Sequence, residues 1–409
     1  MYEGKIIKFY RERAGITQEQ LGKDICSATH VSKIELGQTH YSKDILNLLS
    51  KRLNIHIERE IDSFKSIQKQ LEQWHEAIIM QRNQEMDRLA SELESRELIH
   101  ISDYKNLYTL LQARYHFSKN QDQHALKFIK KIQKLERKLS SYELNLLNHV
   151  LGIYYIGNQE FQKAIESLKL IKENTYQNTD YYYHLAISYH ANNSDLMAYS
   201  CAEQALQFFR KTNNFLRVID TEMLLLVMQR KDTNYNFNER LKKFESLLQS
   251  CELCHSSIRR ATILHNLAYE YYCLGDYDNA TRHYQNSMNL KEKKTGTYLN
   301  SLEGYIEGSI KGNLLSRSEL LQLTEKGLSI AEKLNDLLYI NLFKLPLYKI
   351  QEKHTVYYQY LSDHALPFFK TYGHSLLVNR YEKEMFHYYS KTGQLDKAVD
   401  IAQTVMNDR

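Results

Sequence analysis

Three groups of residues in this 409-residue chain have types and spacings that could do chemistry. Cys251, Cys254 and His255 place two thiols beside an imidazole. That is the C-x-x-C-H string that attaches haem covalently, and it is also a set of soft donors for a metal. Gln18, Ser27, Thr29, His30, Ser32, Lys33, Tyr41 and Lys43 crowd amide, hydroxyl, imidazole and ammonium groups into one short stretch. Such groups hold phosphate oxygens and read base edges. Later in the chain His265, Asn266, Tyr269 and Tyr272 lie close together, and the Asn266 amide can both donate to and accept from a peptide unit.

The cysteine string is the weakest of the three. Covalent haem attachment needs an exported chain, whereas Met1-Tyr2-Glu3-Gly4-Lys5 leads into a charged amphipathic segment without the apolar core of a signal peptide. The string also falls in helical register between Leu247-Leu248 and Ile258, as the end of one helix and its turn. Two thiols and one imidazole leave a structural zinc site one ligand short. No G-x-x-x-x-G-K-[ST] loop, G-x-S-x-G elbow or H-E-x-x-H pair occurs. The many carboxylates alternate with Lys and Arg on solvated faces. The sequence therefore predicts no catalytic residue, no metal and no cofactor.

The elements that must position the remaining groups are helices. Pro occurs only at 346 and 367 and Gly only 14 times, and these two residues are the strongest helix breakers. Hydrophobic residues make up 43% and charged residues 25%, ordinary for a globular chain. The net charge of +5 is too small to argue for nucleic acid alone, so any such contact needs a local patch. Five Cys without framework spacing fit a reducing cytoplasm, and no run approaches the ~18 apolar residues of a membrane span. The expected location is cytoplasmic.

Residues 1–56 read as four short helices. Ile6, Ile7, Phe9 and Tyr10 give the first an apolar face, which Gly15 ends. Thr17 caps the second, with Gln20 in the capping-box position. Leu21 and Ile25 turn inward, and a third helix starts near Ser27 with Val31 and Ile34 toward the core and Gly37 as its stop. A fourth follows Ser42 with Ile45, Leu48, Leu49 and Leu53 as its buried stripe. The second and third helices with their tight corner form a helix-turn-helix. In that motif the later helix enters the major groove, which assigns base edges to Thr29, His30 and Lys33, assisted by Ser27 and Ser32. Gln18, Tyr41 and Lys43 fall where phosphates are clamped. So mildly basic a head needs a second copy for affinity.

Residues 57–75 read as a linker helix, part of a polar stretch in which Ile61, Phe64, Ile67, Leu71, Trp74 and Ile78 recur at helical spacing. Residues 76–409 read as repeats. Leu151-Gly152-Ile153-Tyr154-Tyr155 and Leu185-Ala186-Ile187-Ser188-Tyr189 are 34 positions apart, the tetratricopeptide period. Leu267-Ala268-Tyr269 with Leu274-Gly275-Asp276-Tyr277, and Phe386-His387-Tyr388-Tyr389 with Thr392-Gly393-Gln394-Leu395, are further copies. Tyr181-Tyr182-Tyr183 and Tyr271-Tyr272 fit packing between repeats. Seven to nine helix pairs in a right-handed superhelix are expected, with a concave face lined by the first helix of each pair. On that face His265, Asn266, Tyr269 and Tyr272 are placed to hold an extended peptide. Asn148, His184 and Asn341 are weaker analogues, with Arg217 and Glu222 as side-chain or terminal partners.

Thr17-Gln18-Glu19-Gln20-Leu21, Ile25-Cys26-Ser27, Val31-Ser32-Lys33-Ile34-Glu35-Leu36-Gly37 and Ser42-Lys43-Asp44-Ile45-Leu46 resemble the Xre-type helix-turn-helix of the peptide-pheromone quorum-sensing regulators of Gram-positive bacteria, the Rap/Rgg/NprR/PlcR/PrgX superfamily. The Ile25-Cys26-Ser27 turn is similar to that of the NprR and PlcR branch, and the length fits the longer, NprR-like arrangement. The resemblance implies an all-α chain, a helix-turn-helix domain followed by a tetratricopeptide superhelix. It implies a dimeric transcription regulator whose operator binding is switched by a short signalling peptide, with Asn266 on the peptide backbone. Because that branch resembles the Rap proteins in its repeats, the alternative is a module that sequesters or dephosphorylates a response regulator.

Overall fold

The computed structural model describes residues 2–39, 41–229 and 236–407. Among these there is no strand. The head comprises α1 (Tyr2–Arg13), α2 (Gln18–Gly22), α3 (Ala28–Glu35) and α4 (Lys43–Arg52). Then come α5 (Ile57–Met80) with α6 (Asn83–Glu94), α7 (Ser102–Ser118) with α8 (Asp122–Gln133), α9 (Ser141–Gly157) with α10 (Phe161–Lys169), and α11 (Tyr181–Ala191) with α12 (Asp195–Lys211). After α13 (Phe215–Met228) and α14 (Phe237–Leu253) follow α15 (Ser257–Leu274) with α16 (Tyr277–Asn289) and α17 (Gly296–Gly312) with α18 (Arg317–Leu334). The last helices are α19 (Leu337–Ile350), α20 (His354–Tyr360), α21 (Leu366–Thr371), α22 (Ser375–Lys391) and α23 (Leu395–Asn407). Contacts divide the chain into two units, Met1–Thr221 and Glu222–Arg409.

Helix starts follow the capping chemistry. Thr17 and Gln20 form a reciprocal box, with Gln20 N donating to Thr17 Oγ1 at 3.1 Å and Thr17 N to Gln20 Oε1 at 2.8 Å. Ser140 with Glu143 and Ser316 with Glu319 repeat it. Helix ends are less obvious in a chain so poor in Gly. Asn54, Asn120, Asn193, Asn213, Asn313 and Asn335 take φ of +53° to +57°, so Asn supplies left-handed stops alongside Gly.

In the first unit the head closes over Ile6, Ile7, Leu21, Val31, Ile34 and Leu49, all fully buried. Gly4 lets α1 lie directly on α3, since a Cβ there would stand 2.0 Å from the Ile34 carbonyl oxygen. One expected core position is reversed. Leu48 is 49% exposed, and α4 instead turns Leu46, Leu49 and Ser50 inward, because the Leu46–Leu49 spacing centres the buried face about 130° away from Leu48.

The helix from Ile57 continues past 75 to Met80, where Gln81 ends it at φ +57°. It buries Phe64, Ile67, Leu71 and Trp74, and the Trp74 indole donates to the Met86 carbonyl at 3.1 Å. The head is tied to this helix and to α7. Tyr10 Oη donates to Glu60 at 2.8 Å, Tyr2, Phe64 and Tyr104 pack as a row of tilted rings, and Lys5–Asp103 and Arg13–Glu97 are ion pairs. At its other end Asn214 Nδ2 donates to the Ile79 carbonyl at 3.0 Å.

The second unit repeats helical hairpins that interlock through small residues. A Cβ at Gly304 on α17 would fall 2.4 Å from the ring of Tyr284 on α16, a ring only 2% exposed. The tyrosine thus fills the gap that the missing side chain leaves.

Candidate functional site

In the head the α2–α3 corner is built around a buried carboxylate. Glu35 in the last turn of α3 receives Arg11 Nε at 2.5 Å and Nη2 at 3.0 Å, a two-pronged pair between the first and third helices. Arg11 Nη1 also donates to the Ile16 carbonyl at 3.1 Å. Gln18 Nε2 donates to Glu35 Oε2 at 2.9 Å, so the first residue of α2 is oriented by the last of α3. Arg52 at the end of α4 donates to the Leu21 carbonyl at 2.9 Å and fastens the corner from behind. Sequence reasoning missed Arg11, Glu35 and Arg52, whose partners lie too far along the chain for a local pattern.

Upon this frame Ser27 caps α3, accepting from His30 N at 3.2 Å. Thr29 and Lys33 stand exposed one turn apart, and Ser32 is half-buried. His30 is half-buried, and its Nε2 is shielded from solvent rather than presented outward. Lys43 is exposed at the start of α4. Tyr41 is half-buried, and burial with the nearby Glu3 carboxylate pushes its phenol up to about 12.

On α15 of the second unit, Asn266 is half-buried, and its Nδ2 donates to the Thr262 carbonyl one turn back at 3.0 Å. The neighbouring His265 is pinned at both nitrogens, Nδ1 to Ser301 Oγ at 3.0 Å and Nε2 to Asn300 Nδ2 at 3.2 Å. Because the Asn300 amide nitrogen can only donate, His265 accepts at Nε2 and carries its proton on Nδ1. Lys291 donates to the same Ser301 at 2.7 Å, and burial lowers its ammonium to about 8. Tyr269 is exposed and stacks on Tyr272 at 6.1 Å, with Lys311 5.3 Å above the Tyr272 ring. Beside Tyr272, Arg380 of α22 bonds Glu307 and stands 3.8 Å from Glu303, both carboxylates belonging to α17. Burial first and Glu307 second push the Glu303 carboxyl up to about 7, with Arg380 opposing.

The weaker peptide candidates behave differently. Asn341 is buried and spent internally, giving Nδ2 to the Leu337 carbonyl at 2.9 Å and accepting Tyr360 Oη at 2.7 Å. Asn148 is buried on α9. His184 faces the core of the first unit, with Nδ1 3.0 Å from His149 Nε2. Arg217 covers the Tyr183 ring at 4.7 Å and pairs with Asp220 at 3.3 Å. Glu222 is half-buried. Asn341 and His184 are thus engaged by neighbours inside the packing.

Around His184 lies a buried network that sequence reasoning did not find. Arg114 pairs with Asp180 and approaches His75 Nε2 at 2.9 Å, while His75 Nδ1 meets Tyr142 Oη at 3.1 Å. His149 Nδ1 meets Tyr176 Oη at 2.9 Å. Burial, followed by the charge of Arg114, lowers His75 to about 3 and takes His149 well below its ordinary value. Burial and then the neighbouring His149 do the same to His184. The cysteine string, by contrast, marks the end of α14, with Cys251 buried inside the helix and His255 at φ +49° in the turn.

Residues 7–59 match the helix-turn-helix family. The chain aligns along most of its length with the transcriptional activator NprA of Geobacillus stearothermophilus, 23% identical over 393 residues, 90% of this chain and 93% of that protein. In structure it is similar to NprR in complex with its cognate peptide NprX, with a TM-score of 0.70 at 23% identity over 85% of this chain and 99% of that one. It is also similar to a Rap protein complexed with competence and sporulation factor, with a TM-score of 0.72 at 14% identity over 84% and 97%. At such identities the structural likenesses establish the fold. Among the described residues no helix is long and apolar enough to cross a membrane. The helix-turn-helix match covers the head, the alignment with NprA runs nearly end to end, and the chain shares its fold with NprR and the Rap protein.

Proposed function

We propose that this protein is a cytoplasmic, homodimeric, DNA-binding transcriptional regulator whose operator binding is switched by a short signalling peptide held by the repeats. The observation that carries the proposal is the head itself: α3 offers Thr29 and Lys33 to solvent on a frame braced by Arg11, Gln18 and Glu35. Alignment with an activator along nine-tenths of the chain supports the same reading. Thr29 and Lys33 take base edges, with Ser27 and Ser32 beside them, and Lys43 and the second Gln18 amide hydrogen take phosphates.

In the second unit we assign the peptide backbone to Asn266, flanked by Tyr269 and Tyr272. The Asn266 Oδ1 atom remains an acceptor, since the Thr262 bond uses only the amide nitrogen. A peptide shifts the regulator only if it binds one conformational state more tightly than the other. No step of this scheme uses a catalytic group.

The test is calorimetric titration of the full chain with synthetic peptides encoded beside its gene, run in parallel on Asn266→Ala. Saturable binding by the parent, weakened 5- to 150-fold in the variant, supports the seat; this range is the ~1–3 kcal/mol of one polar group left unmatched. The second reading is a Rap-like module that sequesters or dephosphorylates a response regulator, supported by the shared Rap fold. If no adjacent peptide binds, and a response regulator is captured equally by the parent and by Lys33→Ala, that second reading replaces the first.

A further inference from the structure

We propose that His149, Asp180 and His184 form a binding site for a single late-transition divalent cation of the zinc class. His149 lies on α9, while Asp180 and His184 lie at the start and within the first turns of α11, so the site would join the first helices of two successive pairs. All three side chains are buried, at 0%, 2% and 8% exposure. One donor atom from each lies within 4.8 Å of the other two.

Two details point to a cation. His149 Nε2 and His184 Nδ1 are 3.0 Å apart, so the two neutral rings share one N–H and oppose a lone pair to it. Asp180 is held by Arg114 through Oδ2, yet its Oδ1 has no hydrogen-bond partner, and His149 Nδ1 stands 3.7 Å from it. A buried carboxylate oxygen without a donor is costly, and a metal ion would satisfy it.

The donor set selects the ion. Two imidazole nitrogens and one carboxylate oxygen suit zinc, nickel or copper, whereas magnesium and calcium require oxygen ligands throughout. Three protein ligands leave the fourth tetrahedral position to solvent. Outer partners of the kind that steady metal ligands are in place, with Tyr176 Oη on His149 Nδ1 and Arg114 on Asp180. The positive charges of Arg114 and Arg217 face this cluster and weaken it, which favours ions with the strongest imidazole affinity. When the ion enters, the shared proton moves to the other nitrogen of its own ring, so no proton is released at neutral pH.

The experiment uses the full chain, stripped with chelator and titrated at pH 7.5 with Zn2+ alone and with Co2+ alone. We expect one equivalent per chain, visible cobalt bands of a four-coordinate site, a raised Tm, and the same heat in buffers of different ionisation enthalpy. His184→Gln and Asp180→Asn should abolish binding. His124→Gln should not, although His124 and His116 form another close ring pair at 5.4 Å. Absence of saturable Zn2+ binding to the folded parent chain overturns the proposal without reference to any variant. So does one-equivalent binding that survives His184→Gln, or that disappears with His124→Gln.

Discussion

Lowering the pH from 7.5 to 5.0 should strip much of the stability from the first unit, long before ordinary carboxylates titrate. His75 is lowered from 6.5 to about 3 by burial and by Arg114, whose Nη1 lies 2.9 Å from its Nε2, with Asp180 opposing. The folded chain keeps this ring neutral at pH 5, while the unfolded chain protonates it. The contribution is therefore complete above pH 6.5 and is lost as pH falls toward 3. Each unit below 6.5 removes ~1.4 kcal/mol per histidine, or ~2 kcal/mol at pH 5.0. His149 and His184 are displaced in the same direction within the same network, so their protonation adds to the loss. The His75 part alone is a sizeable fraction of the ~5–15 kcal/mol of a whole domain. Trp74, the only tryptophan, is buried beside His75 and reports this unit. Urea unfolding followed by its fluorescence at pH 7.5, 6.5, 5.5 and 5.0 should show stability falling by at least ~2 kcal/mol across the range, and by less in His184→Gln. A change of less than ~1 kcal/mol between pH 6.5 and 5.0 would refute the reasoning, because even one neutral buried imidazole requires more.

Other substitutions have directions that follow from the same contacts. Gly4→Ala drives a methyl into the Ile34 carbonyl and should destabilise the head by ~2 kcal/mol or more, abolishing operator binding in gel shifts while peptide binding persists. Glu35→Gln breaks the pair with Arg11 and should cost ~3 kcal/mol in head stability by denaturant titration, since it leaves a guanidinium beside a neutral amide in a nearly buried setting. Lys43→Ala, at an exposed position, should leave Tm unchanged but reduce the salt slope of operator binding by ~1. Arg380→Met leaves Glu303 and Glu307 as facing carboxyls. It should destabilise the second unit by ~1–2 kcal/mol at pH 8, and by less at pH 6, where the raised Glu303 carboxyl takes a proton.

What could be read from the sequence was local. The Thr17–Gln20 box, the Ser27 and Ser42 caps and the Gly37 stop are all present, because each depends on residues within a few positions of one another. The exposed Leu48 shows the limit of that reading: Ile45, Leu46, Leu48 and Leu49 fit two overlapping stripes, and only packing against α2 and α5 chooses between them. The frame of the head was not legible, since Arg11 and Glu35 lie 24 positions apart with no repeat relating them. The histidine network was still less so. His75, Arg114, His149 and Asp180 come from separate helices, and each alone looks like a surface polar residue in a helical pattern. Their joint burial dictates their chemistry.

One feature of α5 has a mechanical consequence. Its 24 residues form a rod ~36 Å long, unbroken by proline or glycine, with the head bonded near one end through Glu60 and Phe64 and Asn214 gripping Ile79 at the other. A stiff rod amplifies tilt. Swinging it by ~5° about the Ile79 end carries the far end ~3 Å, and in a two-fold dimer the two reading helices would part by ~6 Å, nearly two base-pair steps. Half-sites fixed one turn apart on the duplex cannot follow such a change. In such a dimer, leverage rather than new contact would be enough to take both heads out of register with the groove.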